Sequence, residues 1–339
     1  MKLKLVALGL AAALAGFSSA AAQPARPWYK QPWDPARVQP CDRACLVGTM
    51  DLYIRALASK DRSALPLAEE VTFTENTARL DLGQGSLWKR PIQPTAFRID
   101  VADPLLGEIG TQTVLNLQGK PALVAIRIKV ERQMITEVEQ LFDSNVAPAA
   151  MELLTTPRPA MLADVPARER NSRDYLIYAA NAYFDALTGE DGHIAPFADD
   201  CVRHEQGYQT VNNRKPGRFA PSPAPPPTEG PFAKFSMMTC EQQVSTGIFN
   251  FISRIWPRRV IVDEQKGLVA GFPMFVEDGT KRHVEPGPYA NNEGTGMILN
   301  MVTMETFGVR GGKIHEIEAF PFVTFQYGLG DGWDLAKSR

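Results

Sequence analysis

This chain of 339 residues contains itself twice. At a shift of 130, Tyr53, Ala56, Leu57, Asp61, Pro66, Ala68 and Glu75 fall on Tyr183, Ala186, Leu187, Asp191, Pro196, Ala198 and Glu205, and Glu70 falls on Asp200. Further on, Asp103 and Gly107 match Asp263 and Gly267 at a shift of 160, and Ile135, Glu137 and Glu139 match Ile314, Glu316 and Glu318 at 179. Self-similarity of this kind implies one supersecondary unit built twice. The shift grows by 30 and then by 19, so the second copy alone carries two insertions, around Lys215–Pro231 and Glu277–Gly296. Loops of such length inside a compact domain are usually lids, binding loops or disorder, and their place in the copy that holds the reactive side chains favours the first two.

The hydrophobic pattern tells what that unit is. Leu46, Met50, Tyr53, Ile54 and Leu57 recur at helical spacing over about Asp42–Ala58, and Tyr175, Ala179, Tyr183, Phe184 and Leu187 do so after Ser172, a suitable N-cap. A second short helical segment is expected from Asp61 through Leu67, and a longer helix over about Phe232–Ile255. Alternation then predicts strands at Val71–Leu80, Phe97–Val101, Ile109–Leu117, Ala122–Val130 and Ile135–Phe142. Helices followed by hairpin-linked strands indicate an α+β domain, a curved antiparallel sheet wrapped around helices. The expected layout is a first domain over 41–143, a linker over 144–170 and a second domain over 171–333.

The amino terminus reads as an export signal. Lys2 and Lys4 precede the apolar run Leu5–Phe17, and Ala20–Ala22 supplies a small-residue cleavage site, which gives a signal peptide of residues 1–22. The run is too short to span a bilayer, and no later stretch approaches that length. Residues 23–40, rich in Pro and Trp, are expected to form an extended surface arm. The expected location is the periplasm or outside the cell, where Cys41, Cys45, Cys201 and Cys240 should form disulfides, paired Cys41–Cys45 and Cys201–Cys240. No CxxC or HxxxH spacing supports a metal site. With 36 basic against 38 acidic residues, no basic surface advertises nucleic acid or an anionic membrane, so the expected partner is a small molecule.

Reactive side chains concentrate in Phe197–Asn213. Arg203 and Glu205 share one strand face with Cys201, and the repeat equates that face with Val71 and Phe73, which makes it the inward one. A carboxylate on an apolar wall has its pKa raised towards the range useful for proton transfer, and Arg203 is suited to hold it or to bind a substrate oxyanion. His204 points to the opposite face of an ideal strand, where a bulge would be needed to turn it inward. Tyr208, after Gly207, is a hydroxyl donor at a turn. Glu205, His204 and Tyr208 are therefore the catalytic candidates; Arg203, Tyr183 and His315 are the substrate-binding candidates. In the first copy Phe73, Thr74 and Ala78 stand where the second has Arg203, His204 and Tyr208. There is no GxSxG, and no GxGxxG lies between a strand and a helix, so no nucleotide or other cofactor is expected.

The segments CDRACL at Cys41–Leu46, LPLAEEVTFTEN at Leu65–Asn76, FADDCVRHEQG at Phe197–Gly207 and YGLGDGW at Tyr327–Trp333 resemble a family of exported tandem proteins. That family falls within the SnoaL-like, or nuclear-transport-factor-2-like, superfamily. The resemblance implies two cone-shaped domains packed as a pseudo-dimer, in a monomer or a homo-oligomer. It also implies the superfamily's range of roles: cofactor-free isomerases, dehydratases, cyclases, epoxide hydrolases and aldol-type lyases, and non-catalytic binding proteins. The expected function is a cofactor-independent lyase, dehydratase or isomerase working on a small, hydroxylated, partly aromatic molecule. The alternative is an exported protein that binds an apolar ligand or a partner without transforming it.

Overall fold

Two 17-residue helices, α1 (Arg43–Ser59) and α4 (Arg173–Gly189), begin and end at positions 130 apart. The computed structural model describes residues 40–213, 235–256, 259–280 and 298–333. The expected signal peptide, the Pro/Trp-rich arm and most of both insertions lie outside them. Each helix has a side-chain N-cap, Asp42 accepting from the Cys45 amide and Ser172 from that of Tyr175. Each ends on a left-handed residue, Lys60 or Glu190. The apolar stripe of each lies buried against its own sheet.

In the first copy the strands are β1 (Leu67–Glu75), β2 (Ala78–Leu80), β3 (Ile92–Asp103), β4 (Glu108–Leu117), β5 (Lys120–Glu131) and β6 (Met134–Asp143), with the short helix α2 (Ser86–Lys89) after β2. The linker holds α3 (Pro148–Met151) and two single 3-10 turns. The second copy has β7 (Phe197–Glu205), β8 (Tyr208–Gln209), α5 (Cys240–Val244), β9 (Arg254–Ile255), β10 (Val260–Asp263), β11 (Leu268–Gly271), β12 (Met274–Glu277), β13 (Leu299–Val302), β14 (Glu305–Arg310), β15 (Lys313–Ala319) and β16 (Val323–Gln326).

The six-stranded sheets run β2-β1-β6-β5-β4-β3 and β8-β7-β15-β14-β11-β10, the same order twice. Register confirms the shifts read from sequence. Leu67 pairs with Ile135 and Thr72 with Glu137, while Phe197 pairs with Ile314 and Val202 with Glu316, with an irregularity at the same place in both. These two pairs are parallel, which corrects the expectation of purely antiparallel sheets: the first and last long strands of each copy close side by side. The long hairpin β4–β5 corresponds to β11–β12 and β13–β14. Its counterpart is broken at Pro273, which has no N–H to donate, and at Thr303-Met304. Beyond the break, β16-β13-β12-β9 form a separate four-stranded sheet, and in sequence the second insertion falls between β12 and β13.

Two helical expectations fail. Asp61–Leu65 forms turns, with Asp61 accepting from the Ser63 amide, and the strand already begins at Leu67. Within the described part of Phe232–Ile255 the main helix is only α5, opened by a Thr239/Gln242 capping box; the chain then turns through Gly247 at φ 71°. Both disulfides form as expected, Cys41–Cys45 and Cys201–Cys240.

The copies pack through the sheet faces turned away from their helices. Phe97, Ile99 and Val114 of the first meet Ile261, Met304 and Phe320 of the second in one core. Around it the contacts are reciprocal. Arg173 of α4 pairs with Asp103 through two bonds of 2.8 and 2.7 Å, and Arg43, its counterpart on α1, pairs with Asp263 at 2.8 Å. Asp103 also accepts from the Val262 amide (3.1 Å), and Asp263 from that of Ala102 (3.5 Å). Matched residues exchanging matched bonds are the signature of a two-fold interface, here within one chain.

Candidate functional site

The inner wall of the second copy carries charge where the first carries hydrocarbon. Phe307 and Val309 of β14 pack into the α4 core, and Glu305, two and four residues earlier, projects from the same face. On β7, Arg203 shares the side of Cys201 and Phe197. Arg203 is 1% exposed and Glu305 3%. Arg203 Nε lies 3.0 Å from Glu205 and donates to Thr210 Oγ1 at 3.1 Å; an Nη donates to Gln243 of α5, and the Phe249 ring covers the cation at 4.9 Å. The Tyr183 hydroxyl of α4 donates to Glu305 Oε1 at 3.5 Å.

Two atoms of this cluster, Arg203 Nη1 and Glu305 Oε2, are buried without a hydrogen-bond partner. A buried polar atom left open is costly, so each requires an explanation. Burial, reinforced by the Glu205 charge, pushes the Glu305 carboxyl up to about 8, against the opposing pull of Arg203. The same burial raises the Tyr183 phenol well above its ordinary range. At neutral pH Glu305 therefore carries a proton that it can give or take back.

The first copy shows the contrast. Tyr53, the mate of Tyr183, accepts from Trp88 Nε1 (3.2 Å) and Gln140 Nε2 (3.1 Å). Glu75, the mate of Glu205, accepts from the Ser86 and Leu87 amides at the start of α2. Phe73 occupies the place of Arg203. At the 179 shift Ile126 stands for Glu305 and Gln140 for Ala319, so the amide that satisfies Tyr53 has no counterpart in the second copy. The first wall leaves one neutral amide oxygen open, Gln140 Oε1, whereas the second leaves open two atoms of ionisable side chains, Arg203 Nη1 and Glu305 Oε2.

Of the residues singled out from sequence, the structure brings together Arg203, Glu205 and Tyr183. The other three lie elsewhere, which corrects their assignment to one site. His204 faces the linker, because no bulge turns it inward; burial and the Arg158 charge push its pKa down to about 3, and its Nδ1 has no partner. Arg158 reaches it while bonding Glu316 (2.7 Å) and Glu318 (2.6 Å). Tyr208 turns towards the linker backbone at Ala150, with burial raising its pKa. His315 binds Asp200 at 2.6 Å on the strand surface. Glu305, Gln243 and Thr210 were not singled out; for Glu305 the available signal was a carboxylate matched to Ile126. Among the described residues no group of His, Cys, Asp and Glu is arranged to hold a metal ion.

A family model described as a domain of unknown function, DUF8021, matches residues 169–321, the greater part of the second copy. No curated protein matches the chain. Among solved structures, an NTF2-like protein of unknown function from Cytophaga hutchinsonii is 18% identical, covering 32% of this chain and 94% of its own, with a TM-score of 0.25.

Proposed function

We propose that the second copy is a cofactor-independent acid–base enzyme, a lyase, dehydratase or isomerase acting on a small hydroxylated, partly aromatic molecule. The observation that carries this reading is Glu305, a buried carboxyl protonated near neutrality, facing Arg203 and Tyr183 with an open oxygen. Removing a proton next to a carbonyl, or expelling a hydroxyl or an aldol partner, needs a group that moves a proton and donors that hold the developing oxyanion. Glu305 is suited to the first task and Arg203 Nη1 to the second, while the Tyr183 hydroxyl, which donates to Glu305 Oε1, orients the carboxyl. Glu205 acts here as a positioning residue and not as the base: its ion pair fixes the guanidinium. His204 takes no part, since it faces the linker.

Resemblance to the SnoaL-like superfamily supports cofactor-free chemistry of this type. The Lys2/Lys4 run with its apolar stretch and the two disulfides support an exported protein. A second reading, ligand binding without turnover, is favoured by the four partners that already hold Arg203. Incubation with a panel of hydroxylated aromatic carbonyl compounds, read by mass spectrometry, separates the two. The enzyme reading expects a changed product that disappears, by about a hundredfold or more, in Glu305→Gln. Compounds retained across the panel without any product would establish the binder instead.

A further inference from the structure

We infer that the buried cluster takes an uncharged ligand, a small apolar or aromatic molecule bearing a carbonyl or hydroxyl, and rejects the corresponding carboxylate. The inference deepens the proposed reading and rests on the cluster being the ligand site. It follows from which charges face the open atoms. From β7, Arg203 and Glu205 already neutralise one another at 3.0 Å. From α4 comes Tyr183, a neutral phenol. The sheet neighbours of Glu305, Gly271 and Ala319, add no charge. An anion entering here would meet one cation already paired and two carboxyl groups, and would surrender its hydration in a buried site; such burial is unfavourable without a partner of its own.

A neutral carbonyl oxygen meets the opposite situation. It accepts from Arg203 Nη1, and Glu305, holding its proton near neutrality, offers a second donor at Oε2 or accepts from a hydroxyl. Both orphaned atoms are then satisfied without bringing in charge. The side chains around the two atoms are aromatic: the Tyr183 ring packs with Phe197 and Phe307, and Phe249 lies over the guanidinium.

Acetophenone and benzoate are probes of nearly equal size that differ in charge, and titration calorimetry on the full-length protein measures both. At pH 7 acetophenone should bind at least about tenfold more tightly than benzoate, the equivalent of about 1.4 kcal/mol. Its affinity should fall above about pH 8, as Glu305 loses the proton it donates, and should stay level to pH 9 in Glu305→Gln, whose amide remains a neutral donor. Binding should vanish in the double variant Arg203→Phe, Glu305→Ile, which installs the first copy's residues. Benzoate binding as tightly as acetophenone, binding of neither, or acetophenone binding unchanged in the double variant would each overturn the inference. A preference for benzoate in a protein whose turnover still depends on Glu305 would sink the ligand class alone. Selective acetophenone binding without turnover of any substrate would sink the enzyme reading alone.

Discussion

His204 and Glu305 are both buried titratable groups, and burial acts on them with opposite sign. The imidazole, held neutral down to about pH 3 in the fold, takes up a proton near 6.5 once unfolded. Between these values the unfolded chain binds more protons, so this residue's contribution to stability is lost as pH falls from about 6.5 towards 3. Glu305 runs the other way: its folded pKa of about 8 exceeds the unfolded value, so its contribution is present at low pH and lost as pH rises towards 8. Comparing the wild type with His204→Thr, the residue of the first copy, isolates the imidazole. Denaturant unfolding should show the wild type losing, relative to the variant, on the order of 2–4 kcal/mol between about pH 6.5 and 3.5. A flat difference would place His204 in contact with solvent. The inward side of Arg203 and Glu205 was legible because side chains alternate along a strand and the repeat marked the face. Glu305 was not, because its strand finds its place through pairing with β11 across an insertion, and only the 179 shift, carried back to residue 126, sets it opposite an isoleucine.

At the scale of elements, helix α1 could be read to within a residue and the start of α4 from its N-cap Ser172, since cap and stripe are local properties of the sequence. The region after the first insertion could not. Its apolar residues suggest one helix, but Thr239 opens a new one and Gly247 turns the chain, and α5 is held instead by Cys240 and by Gln243. Gln243 Nε2 donates to the carbonyls of Thr210 and Phe235, so α5 ties β8's exit to the guanidinium. The disulfide Cys201–Cys240 closes a loop of 39 residues around the first insertion. Replacing both cysteines with serine should lower stability by about 2–4 kcal/mol in equilibrium unfolding. If α5 positions Arg203 as argued, ligand affinity should fall as well. Stability unchanged under non-reducing conditions would mean that the bridge does not form. On the first-copy side, Glu75→Gln removes the carboxylate that receives two amides of α2 and should cost about 1–2 kcal/mol in the same assay without affecting turnover. A turnover loss there would point to the wrong copy.

Among the described residues the two copies form a two-fold pair in a single chain, and its symmetry and asymmetry sit in different places. The interface is symmetric: Arg173–Asp103 and Arg43–Asp263 are mates. Arg173→Ala strips a fully buried carboxylate of its bidentate partner and should destabilise by about 3–5 kcal/mol. Arg43→Ala, which removes a single-bonded and more exposed partner, should cost less. Equal, negligible losses in thermal unfolding would deny these pairs a role in holding the copies together. The inner walls are asymmetric, with Phe73 and Ile126 exchanged together for Arg203 and Glu305. A buried ionic cluster adds little stability over well-packed hydrocarbon, so its presence in one copy only is most simply tied to a task that copy performs. The central claim is therefore tested most directly by undoing that exchange. In Arg203→Phe, Glu305→Ile the account predicts a cooperative fold and product formation reduced by at least about a hundredfold. A folded double variant that still forms product within a few fold of the wild-type rate would contradict it.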